Sequence, residues 1–169
     1  AEVNPDANVE VKYLTPDGDF SGFNDSAKGQ TVTEGLYSAG ADVVFHAAGG
    51  SGAGVFEAAA DADRLAIGVD SNQYFQVDEA QQACMLSSML KRVDNAVFNA
   101  FMDVKNDKWS AGFNVLGLKE GGVGYAMDEN NAKLVDDDMK KAVMMAEESI
   151  TSGKVKVHNY MDDSKCPIS

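Results

Sequence analysis

Apolar positions along this chain alternate between strand-like and helix-like spacing. NVEVKYL (8–14) reads as a strand, and DVVFHAA (42–48) is nearly continuous in apolar residues, as expected of a strand buried on both faces. RLAIGVDS (64–71) and ACMLSSML (83–90) read as further strands, and KVKVHNY (154–160) as a last one. Between them lie helical stretches. Asp25 is placed to cap AKGQTVTEGLYSAG, which Gly40 stops, and GVFEAAADAD follows a glycine-rich loop. KRVDNAVFNAFMDVKND gathers Val93, Val97, Phe98 and Phe101 on one face. DDDMKKAVMMAEESITSG opens with acids at the favourable end of the helix dipole and closes at Gly153. FNVLGLKEGGVGYAM is an extended segment broken by glycines. The Phe98–Phe101 and Met144–Met145 pairs are assigned to the core. The β-α-β-α-β order predicts an α/β fold: a mostly parallel sheet with helices on both faces.

Composition narrows the function classes. The 169 residues suffice for one domain with its own core, and 44% apolar content is ordinary for a globular chain. No stretch approaches the roughly 20 apolar residues of a membrane span. The first residues, AEVNPDANVEV, lack the regions of a signal peptide, so the leader of an exported protein would have been removed or lain upstream. With 27 acidic against 14 basic residues, a net charge of -13 argues against nucleic acid or anionic lipid as partner. Two cysteines and two histidines without a CxxC pair argue against a zinc site. Cys84 and Cys166 permit one disulfide, and two separate thiols are the simpler reading. His46 and His158 are read as bystanders.

The loop HAAGGSGAG (46–54) carries the candidate chemistry. Gly50, Gly52 and Gly54 lie between a strand and a helix, and Asp70 ends the next strand, as in a dinucleotide-binding turn. Against that, the loop is not in the first β-α unit, its pattern is GxGxG rather than GxGxxG, and no hydride-transfer residues accompany it. A second reading uses the same residues. Ligands of open α/β sheets bind at the carboxyl ends of strands. Three such ends here offer aromatics (Phe20 and Phe23), bare backbone amides in GGSG, and the carboxylate of Asp70. That set suits a flat heterocycle joined to a sugar with vicinal hydroxyls. Ser51 has no histidine and acid arranged to activate it, and no paired carboxylates or phosphate loop stand out, so catalysis is not expected.

FNDSAKG, GADVVFHAAGGSGAGVFEAA, AIGVDSNQ, SSMLKRVDNAV and LGLKEGGVGYA, in this order, resemble the basic membrane protein family of substrate-binding lipoproteins. The resemblance runs from about Asn4 to Val157. It implies a type I periplasmic-binding fold, two α/β lobes closing on a purine nucleoside for an ABC permease, with no cofactor and a periplasmic or cell-surface location. It implies that residues 1–169 are mostly the C-terminal lobe, with a segment near LGLKEGG returning to an N-terminal lobe absent from this chain. The lipid anchor would belong to that absent part. By the same resemblance, Phe23 stacks on the base, Gly49 and Gly50 bring backbone to the ribose, and Asp70 holds its hydroxyls. Lys91 reaches the same sugar. Asn72, Ser26 and Ser51 stand where Asp, Pro and Thr are common. Plainer roles exist for each candidate: a cap or turn for Asp70, local packing for Phe23, a tight turn for the glycines, and a solvated charge opening a helix for Lys91. Sugar binding and a signalling module that has lost its ligand remain alternatives.

Overall fold

Apolar runs of the sequence become the strands of one sheet in a computed structural model that describes residues 4–164. The run at 42–48 is not buried on both faces as expected: only Val44 of Val43–Phe45 is buried, and Val43 and Phe45 are 37% and 53% exposed at the edge of the sheet among the described residues. Its strands β1 (Val43–Phe45), β2 (Leu65–Gly68), β3 (Met85–Lys91) and β4 (Val123–Tyr125) lie in that order. β1, β2 and β3 run parallel, and β4 returns antiparallel to β3. Val43 faces Leu65 across β1 and β2, and Gly68 faces Ser88 across β2 and β3. The carboxyl ends of β1, β2 and β3 therefore share one rim of the sheet. The expected α/β architecture, with a mostly parallel sheet and helices, is what forms.

Helices α1 (Ser26–Ser38) and α2 (Gly52–Ala62) follow the Asp25 cap and the glycine loop. The Asp25 carboxylate accepts from Lys28 N–H at 3.0 Å, satisfying one of the free amides of the first turn. The two helices pack closely because α2 offers small residues. Ala58 and Ala59 are fully buried, and a Cβ at Gly54 would overlap the Ser26 carbonyl of α1. Tyr37, Val44, Val55, Phe56, Ala66 and Met85 complete the core. Further along come α3 (Glu79–Gln82), α4 (Val93–Lys105), α5 (Asp137–Thr151) and α6 (Tyr160–Asp163).

Two expected strands do not form. Residues 8–14 belong to no strand, and Val9, Val11 and Tyr13 are 66%, 66% and 86% exposed. Alternation supplies the side chains of a strand, but a ladder also needs a neighbour, and β1 ends the sheet without one on that side among the described residues. Residues 154–160 likewise meet no sheet edge. His158 approaches Asp163 instead (3.4 Å), and Tyr160 opens α6. The core assignment for α4 and α5 is also corrected. Phe98 and Phe101 are 63% and 72% exposed, and Val93, Val97, Met144 and Met145 are exposed with them. Their spacing is that of an amphipathic helix, yet no described element covers the stripe. Cys84 is a buried thiol whose pKa is pushed up by that burial. Cys166, and with it any pairing of the two, lies outside the described residues.

Candidate functional site

At the end of β1 the chain makes a tight turn, Gly49–Ser51, before entering α2. Gly49 has a φ of 54°, a left-handed conformation that glycine adopts without steric cost. A Cβ there would lie 3.1 Å from the Phe23 carbonyl oxygen and 3.3 Å from its ring, so this bare backbone is what Phe23 rests on. Gly50 lies equally close to the Asn24 side chain. Phe23 belongs to a short turn, Phe20–Phe23, and its ring is 51% exposed beside the stacked ring of Phe20 at 6.4 Å. Ser51 binds the two loops together. Its hydroxyl donates to the Gly22 carbonyl and accepts from Asp25 N–H, both at 2.7 Å, and it is fully buried. With both hydroxyl functions engaged and no solvent access, it cannot serve as a nucleophile.

The second pair lies at the ends of β2 and β3. The Lys91 ammonium is 3.0 Å from an Asp70 carboxylate oxygen, and both side chains are more than half exposed. Lys91 N–H also donates to the Asp70 carbonyl at 2.9 Å. Lys91 is the last residue of β3 and not the first of a helix, since α4 opens at Val93. Its positive charge, just before the Arg92 cap of α4, is matched by Asp70. Asp70 itself has a φ of 70° and stands at the centre of a three-residue turn closed by Ser71 N–H to the Val69 carbonyl at 2.9 Å. Asn72 donates to Asp128 at 2.9 Å; an aspartate there would face that carboxylate directly.

The strand over residues 8–14 whose end was expected to present Phe23 does not form, and Phe23 reaches the rim through its contact with Gly49. Phe23 with Gly49 and Gly50, beyond β1, and Asp70 with Lys91, at the ends of β2 and β3, are therefore two groups on one rim. The residues joining them carry no obvious signal in the sequence. His46, the first polar residue after β1, is buried, and its Nε2 lies 3.0 Å from Gln73 Oε1. Gln73 Oε1 also accepts from Val69 N–H at 2.7 Å, and Gln73 N–H donates to the buried Ser88 hydroxyl at 3.1 Å. Burial holds the His46 pKa below the ordinary imidazole range, opposed by the Gln73 bond and the charge of Asp70. Gly52, the second glycine of the GxGxG pattern, packs flat on the His46 ring. In a dinucleotide turn that position lets backbone approach a pyrophosphate; here it is filled from within.

The profile of the family described as ABC transporter substrate-binding protein PnrA-like matches residues 1–159. A CD4+ T-cell-stimulating antigen of Listeria monocytogenes is 32% identical over 168 residues, covering 92% of this chain and 44% of that protein. The ABC transporter nucleoside-binding protein BmpA of Lactococcus lactis subsp. cremoris is also 32% identical, covering 92% of this chain and 45% of its own length. Among solved structures, an ABC transporter solute-binding protein from Aeropyrum pernix K1 superposes with a TM-score of 0.65 at 26% identity, over 84% of this chain and 47% of its own. A second, from Conexibacter woesei, gives 0.69 at 22% identity, over 93% and 48%, and bears on the fold. The chain spans somewhat less than half the length of these relatives. On the match across residues 1–159, it belongs to the PnrA-like family of ABC transporter substrate-binding proteins.

Proposed function

We propose that this chain is the greater part of the second lobe of an ABC importer's substrate-binding protein, and that the ligand is a nucleoside, purine in its base. The observation that carries this is the rim itself: an exposed ring seated on bare backbone and, at the neighbouring strand ends, an exposed carboxylate held against a lysine. A flat base stacks on Phe23 and the ribose passes Gly49 and Gly50. The Asp70 carboxylate accepts from two vicinal hydroxyls while Lys91 donates to the sugar. Each charge-assisted bond of this kind contributes about 1.5–3 kcal/mol. A first lobe, corresponding to the remaining length of the relatives, closes over the ligand, and the closed form engages the membrane permease. Relatives named as lipoproteins support an anchored, extracytoplasmic protein whose lipid lies on the part beyond this chain. The reading is binding without turnover.

The test is calorimetric titration of the protein at the full length of its relatives with guanosine, adenosine, uridine, ribose and NAD. Tight purine nucleoside binding with ribose and NAD silent is expected. Asp70→Ala should weaken guanosine about tenfold or more while leaving 2′,3′-dideoxyguanosine nearly unchanged, because only the former has hydroxyls to lose a partner. Equal losses for both would remove the diol assignment.

A further inference from the structure

A non-glycine residue at positive φ is uncommon, and aspartate is among the few that adopt it, helped by bonds from its surroundings. Asp70 is such a residue, and besides the Ser71–Val69 bond that closes its turn, three bonds hold that turn to its surroundings. Val69 N–H, before it, donates to Gln73 Oε1; Gln73 N–H, after it, donates to Ser88 Oγ; and the Asp70 carbonyl accepts from Lys91 N–H. Gln73 takes part in two of the three. It is admitted by Gly68, where a Cβ would stand 2.6 Å from the Ser88 hydroxyl and 2.8 Å from Gln73 Oε1.

The chemistry of this junction fixes a tautomer. Val69 N–H can only donate, so the Gln73 atom facing it is the carbonyl oxygen. The same oxygen faces His46 Nε2, which must therefore carry the hydrogen. His46 Nδ1 is then a bare acceptor, and it is buried without a hydrogen-bond partner among the described residues. An unpartnered buried nitrogen is a cost that packing alone does not require. In return the Nε2–H bond ties the end of β1, where the glycine loop begins, to the turn that presents Asp70.

We infer that Gln73 is the positioning residue of the rim: its one carboxamide oxygen, shared by His46 and Val69, holds the Asp70 carboxylate in place relative to the glycine loop. Gln73 is not a ligand contact; it acts through Asp70, and its effect on affinity rests on the proposed reading of Asp70 as the group that holds the ribose diol.

Gln73→Met keeps the length of the side chain and removes the shared acceptor, while Gln73→Glu keeps an acceptor oxygen. At about pH 8, where an imidazole of ordinary pKa is neutral, nitrogen-15 NMR of this chain should show His46 as the Nε2–H tautomer, with the Val69 amide slow to exchange. The protection of the Val69 amide should vanish in Gln73→Met and return in Gln73→Glu, with circular dichroism reporting a folded chain in each. In the protein at the full length of its relatives, Gln73→Met should weaken guanosine about tenfold, dideoxyguanosine much less, and add nothing to Asp70→Ala. Gln73→Glu should restore most of the affinity. An Nδ1–H tautomer, or a Val69 amide unaffected by Gln73→Met, would overturn the latch; so would a Gln73→Met protein that binds guanosine normally while Asp70→Ala does not. If the NMR signatures hold and no nucleoside binds even the unsubstituted protein, the latch stands and the nucleoside reading falls. Should Gln73→Met fail to fold, the tautomer and the Gln73→Glu titration decide the matter.

Discussion

Tyr37 is a polar residue placed in an apolar core for a single bond. Its hydroxyl donates to the Leu65 carbonyl at 2.8 Å, at the start of β2, and its ring is buried under α1. Burial pushes its pKa from 10.0 to about 12, with the nearby Cys84 thiol adding to the rise. A raised folded-state pKa means that the unfolded chain releases this proton first. The stabilisation is therefore whole below pH 10 and is lost as pH rises toward 12. Urea melts across that range should show stability falling, and Tyr37→Phe should flatten the fall while lowering stability at neutral pH by about 1 kcal/mol. A slope unchanged in Tyr37→Phe would assign the alkaline loss to other groups. At this scale the sequence was informative where a residue's role is local. Asp25 reads as a cap from its neighbours alone. His46 and Gln73 do not, because their roles exist only once β1 and β2 lie side by side.

Among elements, the α1–α2 crossing separates two roles that glycine plays in a helix. Alanine for glycine in a helix gains roughly 0.5–1 kcal/mol in propensity. Gly35 in α1 has open space around it, so Gly35→Ala should stabilise by about that amount. Gly54 in α2 abuts the backbone of α1 at Ser26 and Gln30, which cannot step aside as a side chain would. Overpacking there costs about 1–3 kcal/mol, more than the propensity gain, so Gly54→Ala should be net destabilising. Opposite shifts of the two denaturation midpoints would bear this out, and a stabilised Gly54→Ala would mean the crossing is looser than described. The same contrast explains how far the elements were legible. β1, β2 and β3 are apolar runs bounded by turns, a signal complete in one stretch of chain. Residues 8–14 carry the strand period without a partner, and period alone does not supply one. Gly49, Gly50 and Asp70 were legible as residues beyond strand ends. The sequence puts Phe23 after a strand that does not form and Lys91 at the start of a helix, and the placing of Phe23 on the glycines and of Asp70 beside Lys91 depended on the fold.

For the whole molecule, the unresolved balance lies on α4. Val97, Phe98, Phe101 and Val104 form a stripe facing no described element, on a chain less than half as long as its relatives. An amphipathic helix gains most of its stability from packing that face. If the remaining length of the protein covers it, substitution there has a cost that depends on how much of the protein is present. In this chain alone Phe98→Ser with Phe101→Ser removes exposed rings, and surface changes of that kind usually stay within about 0.5 kcal/mol. In the protein at the full length of its relatives the same pair should cost several kcal/mol, on the order of 3–5 kcal/mol for each large aromatic lost from a packed interior. Thermal unfolding of both lengths, with and without the two substitutions, reads the difference directly. A large loss confined to the longer protein would identify α4 as packed against the first lobe. Equal small effects in both would leave its apolar face outside the fold and remove the support that face lends to the two-lobed reading.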